Sequence, residues 1–330
     1  MKKILITVIL SLLLLSCGKE TPKEEVEQKF SLKPMTTFPA FNSDNAFNYI
    51  EKQLSFGPRN PNSPAHQLAL AYFETEFKKF ADKVTLQNFS YPGYNDETLN
   101  LTNIIASFNP DAKNRIFLCA HWDSRPRADH DKNPALVNKP IPGANDGASG
   151  VAILLELARI LKEKKVQIGI DLILFDGEDY GTESDLQNYL LGSKYFAANL
   201  PKDYKPAFGI LLDLVGDKEA KFYKETNSMM YAPDVVDIIW TTASELNATS
   251  FSNLEGEGIY DDHIPLNQAG LRTVNIIDAE LVGANSPDER RNYWHTHNDT
   301  IDNIGKETLK QVGEVLVRII YSIEFTGPKS

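Results

Sequence analysis

Cysteine is nearly absent from this 330-residue chain, which holds only Cys17 and Cys119. That excludes a disulfide framework and any zinc site built from cysteine alone. The strongest apolar run, Ile4 to Leu15, has 12 residues, well short of the roughly 20 that a membrane-spanning helix needs. Basic residues are in deficit, with 34 Lys+Arg against 45 Asp+Glu and a formal charge of −11. A phosphate backbone wants a basic face, so this balance argues against a nucleic-acid partner. Beyond Phe41 there is no linker-like stretch, internal repeat or low-complexity segment. What remains is ordinary globular material, 42% hydrophobic and 24% charged. A chain of this length can bury about three-quarters of its unfolded surface and stands without disulfides.

The short apolar run has its own meaning. Lys2 and Lys3 precede it and Leu14-Leu15-Ser16-Cys17 ends it, the layout of an export signal. The ending resembles the lipobox of bacterial lipoproteins. An ordinary cleaved signal with an incidental cysteine is the blander possibility. The resemblance implies removal of residues 1–16, lipid on Cys17, and an exported protein anchored to a bacterial membrane, on its periplasmic or outer side. Loss of Lys2 and Lys3 takes the formal charge from −11 to −13. Residues 17–40, polar from Gly18 to Gln28, are expected to form a flexible tether, and residues 41–330 the folded domain. With Cys17 lipidated, Cys119 has no partner; its place in the run Ile116 to Ala120 marks a buried small hydrophobe.

Helical and strand patterns alternate through the rest. Asn45 to Leu54, Pro64 to Phe80, Ala148 to Lys164 and Lys306 to Phe325 carry helical spacing. Leu101 to Phe108, Arg115 to Ala120, Ile170 to Phe175, Phe208 to Leu214 and Thr273 to Ile277 read as strands. Several are apolar throughout, as strands covered on both faces are. The alternation predicts a single α/β domain with a twisted, mixed, mostly parallel sheet flanked by helices.

Polar residues gather where the strands stop. Ile116 to Ala120 runs into His121-Trp122-Asp123, and Asp171 to Phe175 into Asp176-Gly177-Glu178-Asp179. Phe208 to Leu212 runs into Asp213. Asp146 precedes the helix at Ala148, and Tyr293-Trp294-His295 lies late in the chain. Ligands of open α/β sheets bind beyond the carboxyl ends of the strands, and His, Asp and Glu converging there form an O/N donor set suited to zinc. Taken singly, each has a plainer role: a strand-end Asp is usually a turn former or helix cap, and His295 alone could be a hydrogen-bonded core histidine. Together they concentrate negative charge that a cation must compensate.

The motifs FLCAHWDS, GANDGASG, LILFDGED, ILLDLVG, DDHIP and YWHTHND occur in the order of the zinc-dependent aminopeptidase clan that also contains the glutaminyl cyclases. The resemblance extends from roughly Phe47 to Phe325. For a two-zinc peptidase it implies Asp146 as the bridging ligand, His121 and Asp213 on one metal, Asp179 and His295 on the other, and Glu178 as general base. For a glutaminyl cyclase it implies one zinc on Asp146, Asp179 and His295. There Asp213 turns to a hydrogen-bond network with Asp261, and the two share a proton.

Three features favour the cyclase: Tyr260-Asp261-Asp262-His263-Ile264-Pro265 and Trp294 directly before His295 resemble the cyclase versions of those segments, and His121-Trp122-Asp123-Ser124-Arg125-Pro126 is similar to the bacterial branch of animal-type cyclases. Two features depart from the animal enzymes. Asp179 stands where they have Glu, and residues 181–188 lack their Trp. Trp294 and Tyr293 are expected to bind substrate, the N-terminal Gln of peptides or proteins, which the cyclases convert to pyroglutamate with release of ammonia. A two-zinc aminopeptidase is the competing expectation. A catalytically inert binding relative is the third, disfavoured because Asp146, Glu178, Asp179 and His295 are all intact.

Overall fold

The computed structural model describes residues 29–182, 185–284 and 286–326; Cys17 and the expected export signal lie outside them. The first element is a short strand, β1 (Phe30–Leu32), followed by helices α1 (Ser43–Leu54) and α2 (Pro64–Phe80). Ser63 starts α2 by accepting a hydrogen bond from the His66 amide at 3.0 Å, with Pro64 in the first turn. Such a cap stabilises a helix by about 1 kcal/mol. Strands β2 (Lys83–Pro92), β3 (Thr98–Phe108) and β4 (Arg115–His121) lead to helix α3 (Ala148–Glu163) and strand β5 (Gly169–Phe175). Helix α4 (Leu191–Ala198) then precedes β6 (Gly209–Asp213) and β7 (Phe222–Lys224). Helices α5 (Thr226–Tyr231) and α6 (Pro233–Glu245) follow, with β8 (Phe251–Glu255), α7 (His263–Gln268), β9 (Thr273–Ile277), α8 (Lys306–Ser322) and β10 (Ile323–Phe325) completing the order.

Among the described residues six strands make the central sheet, in the order β2-β3-β5-β4-β6-β9. The pairs β4/β5, β4/β6 and β6/β9 are parallel, while β2/β3 and β3/β5 are antiparallel. Period-two alternation splits the buried residues between two faces. Ile116, Leu118 and Ala120 face the large core under α1, α2, α3, α6 and α8, and Phe117 and Cys119 face a smaller one with Phe196 of α4 and Leu266 of α7. Because both faces are covered, the parallel strands are apolar through most of their length. Cys119 is fully buried in this second core, as its setting predicts.

The structure corrects two boundaries. Strand β1 pairs antiparallel with β10, and Phe30 packs on Phe208 with ring centroids 4.8 Å apart. The folded body therefore begins within the segment expected to be tether. Helix α8 also stops at Ser322, three residues before Phe325, because Ile323–Phe325 is taken up by that same pairing. Among the described residues no helix is long and apolar enough to cross a membrane.

Candidate metal centre

The parallel strands end on one side of the sheet, and their ends deliver the site. β4 finishes with His121 and β6 with Asp213, while β5 passes at Phe175 into the turn carrying Glu178 and Asp179. Gly177 makes that turn at a φ of 71°, a left-handed conformation that costs glycine little. Asp146 sits just before α3, and the intervening Gly147 has a φ of 89°. A Cβ on Gly147 would lie 2.7 Å from the Asp123 carbonyl oxygen, so only glycine lets this loop approach β4. His295 is itself a non-glycine residue at a φ of 54°, the sort of local strain that persists only where the surroundings enforce it.

The expected ligands meet. His121 Nε2 lies 3.1 Å from Asp146 Oδ1 and 3.3 Å from Asp213 Oδ1. His295 Nε2 lies 3.3 Å from Asp179 Oδ1 and 3.7 Å from Asp146 Oδ2. Two groups can therefore hold a metal ion, Asp146/Asp179/His295 and His121/Asp146/Asp213, joined at Asp146; a third, Asp129/His130/His295, shares His295.

The donor set fits a divalent cation. His121 Nε2, Asp146 Oδ2, Asp179 Oδ2 and Asp213 Oδ1 are buried without a hydrogen-bond partner, which native interiors rarely tolerate. Burial pushes the Asp146 carboxyl well above the ordinary range, and the Asp179 charge adds to this. Burial likewise raises Glu178, against the pull of His121. Asp179 goes the other way: burial would raise it, but His295 and Arg125 together hold it below the usual carboxylate range. A cation at the centre would relieve the charge that these shifts register.

A cavity of about 420 Å³ opens over these groups, walled by Glu178, Asp213, Asp261, Tyr189, Trp294 and His295. That is ample for a small polar side chain. Trp294 is half-buried and lies face to face with the His295 imidazole, centroids 3.5 Å apart. Leu186 and Tyr260 are exposed and also line the opening.

One expectation needs correction. Tyr293 does not line the cavity; it is buried behind it, donating from Oη to Asp217 Oδ2 at 2.8 Å and accepting from Asn145 Nδ2 at 3.0 Å. Adjacent side chains on this segment point opposite ways, so Trp294 faces the cavity and Tyr293 the core. Asp213 and Asp261 lie close enough for the Asp213 charge to act on Asp261. Asp213 Oδ1 turns to His121, while Asp261 Oδ2 accepts from Asn275 Nδ2 at 2.7 Å. Burial and the nearby Asp213 charge raise Asp261 to about 6.

The structure adds residues to the site that the sequence reading left unassigned. Asp123 accepts from the amides of Glu178 at 3.0 Å and Asp179 at 3.2 Å, fixing the expected base and the candidate ligand together. Asp299 does the same for Asn145 and Asp146, at 2.8 and 3.1 Å. Both stand inside motifs already noted, HWDS and HTHND; their proximity to ligands was the available signal.

Residues 103–320 match the model of Peptidase family M28. The chain belongs to that family. Among solved structures, this M28 member is similar to the glutaminyl cyclase of Tannerella forsythia, at 45% identity and a TM-score of 0.81, covering 86% of this chain and 99% of that one. It is similar to the Bacteroides thetaiotaomicron glutaminyl cyclase bound to N-acetylhistamine, at 39% identity and a TM-score of 0.82, with 86% and 99% covered. Aminopeptidase YwaD of Bacillus subtilis (strain 168) is 28% identical over 236 residues. That match takes in 69% of this chain and only 45% of YwaD.

Proposed function

We propose that this M28 member is a glutaminyl-peptide cyclotransferase, exported and held at a bacterial membrane by lipid on Cys17. The observation that carries the reading is Trp294 lying flat on His295 and walling a small cavity beside Asp146 and Asp179. The likeness to bacterial glutaminyl cyclases at 39% and 45% identity supports it.

The substrate is the N-terminal Gln of a peptide or protein. Its α-amine attacks its own γ-carbonyl, a new C–N bond closes the ring, and ammonia leaves. Asp146, Asp179 and His295 would hold one zinc, which when bound supplies Lewis acidity to that carbonyl and charge to its developing oxyanion. Glu178, in the cavity wall, takes a proton from the attacking amine and returns it to the leaving nitrogen. Its buried setting raises its proton affinity, which suits a group that must both accept and donate. The walls fold the Gln side chain back on its own amine, an intramolecular proximity advantage.

A two-metal aminopeptidase is the second reading, favoured by the complete His121/Asp146/Asp213 group. Peptide hydrolysis needs an activated water, which a two-metal site favours; cyclisation needs none. Product analysis on a Gln-initiated peptide separates the two. Ring closure yields the intact peptide less ammonia, and hydrolysis yields free glutamine and a shortened peptide.

A further inference from the structure

Two of the candidate metal ligands, Asp179 after β5 and His295 in the loop before α8, come from distant parts of the chain. Arg125 bonds the first, and its partner Asp129 faces the second. We propose that Arg125 and Asp129 form a positioning pair that aims Asp179 and His295 at the metal. The proposal concerns the metal centre alone and holds for either reaction.

The Arg125 side chain is buried. Its Nη1 donates to Asp179 Oδ1 at 2.7 Å and to the Asp179 carbonyl oxygen at 3.2 Å. The rest of the fork grips Asp129, with Nε donating to Oδ1 at 2.7 Å and Nη2 to Oδ2. A planar guanidinium holds two carboxylates in fixed relative positions, which a lysine ammonium cannot do. With Oδ1 held by Arg125, Asp179 Oδ2 is left buried and without a partner, free for an ion.

Asp129 extends the clamp to His295. Its Oδ1 lies 3.7 Å from His295 Nδ1, on the side of the ring away from Asp179 and Asp146. A carboxylate facing the second nitrogen is the usual means of fixing the tautomer and ring angle of a ligating histidine. Trp294 stacks on the same ring, so the His295 imidazole is flanked by the indole on its face and by Asp129 at its Nδ1 edge. By charge alone, a buried cation beside a metal ligand opposes a divalent ion. What Arg125 gives the centre is therefore geometry.

The test uses full-length Arg125→Lys and Asp129→Asn proteins, with zinc affinity measured by chelator competition. The visible spectrum of the cobalt-substituted proteins and the melting temperature of their metal-free forms complete the set. Each variant is expected to bind zinc about 10–100-fold more weakly and to shift the cobalt bands, while metal-free melting stays close to that of the parent. Arg125→Lys keeps the positive charge, so unchanged or tighter zinc binding with an unaltered cobalt spectrum overturns the proposal. So does a loss of affinity matched by collapse of the metal-free fold in the near-isosteric Asp129→Asn protein. If Arg125→Lys does not fold, Asp129→Asn decides alone.

Discussion

Trp294 rests on His295 with its ring plane tilted only 23° from the imidazole. One indole thus braces a candidate metal ligand and walls the cavity beside it. Replacing Trp294 with Ala removes the wall while leaving the carboxylates in place. Aromatic pairs of this kind contribute about 0.5–1.5 kcal/mol beyond the area they bury. Losing the burial of one or two substrate methylenes, about 0.8 kcal/mol each, should raise KM roughly 4–15-fold, with zinc content retained. Steady-state kinetics with parallel metal analysis checks this, and an unchanged KM argues against a substrate-facing role.

Glu178→Gln keeps the size of the side chain and removes its ability to take a proton. Turnover should fall by a factor on the order of 10²–10⁴, the usual contribution of a general base. Zinc should stay bound, because Glu178 belongs to none of the candidate ligand groups. Loss of metal in this variant would disprove the base assignment.

How much of this was legible from residues alone can be seen element by element. Helix α2, Pro64–Phe80, was readable to the residue because Ser63-Pro64 is a local start signal. Strand β9, Thr273–Ile277, was equally clear, being buried throughout with Val274, Ile276 and Ile277 as its apolar signal. Strand β2, Lys83–Pro92, was missed: it is an outer strand of the sheet, only half covered, and its mixed KVTLQNFSYP gives no apolar run. The ligand positions showed because each follows an apolar run or a short motif, and a parallel sheet brings such ends together. Asp299, Asp123 and Arg125 act through hydrogen bonds to residues 54–154 positions away, and no local pattern announces that. Nor could sequence show that Asp213 Oδ1 comes within 3.3 Å of His121, which is a matter of side-chain rotation.

Glu225 links acid stability to the cavity wall. Its carboxylate caps α5 through the Asn227 and Ser228 amides and accepts from the Ile259 amide at 2.9 Å. Burial would raise its pKa, but His263, Ser228 and these amides outweigh that and hold it at about 2. The unfolded value is about 4.3, so between the two the unfolded chain binds the extra proton. The stabilisation, on the order of 3 kcal/mol, is present above pH ~4.3 and is lost as pH falls toward 2. Glu225→Gln should therefore be less stable at neutral pH and show a shallower loss on acidification. Denaturant unfolding at pH 7 and at pH 3 checks both, and parallel curves for the two proteins would contradict it.

Cys17→Ala tests the anchor. Membrane fractions of a bacterial host should hold the parent protein and lose the variant to the soluble exported fraction. Equal partitioning of the two would remove lipidation from the account.

The central claim is ring closure at a one-metal site, and zinc titration of the metal-free enzyme against a Gln-initiated peptide tests it most directly. Ammonia release and pyroglutamyl product should rise together and level off at about one zinc per chain. Activity that needs two zincs and yields free glutamine with a shortened peptide, without pyroglutamate, would contradict the claim and establish the aminopeptidase reading.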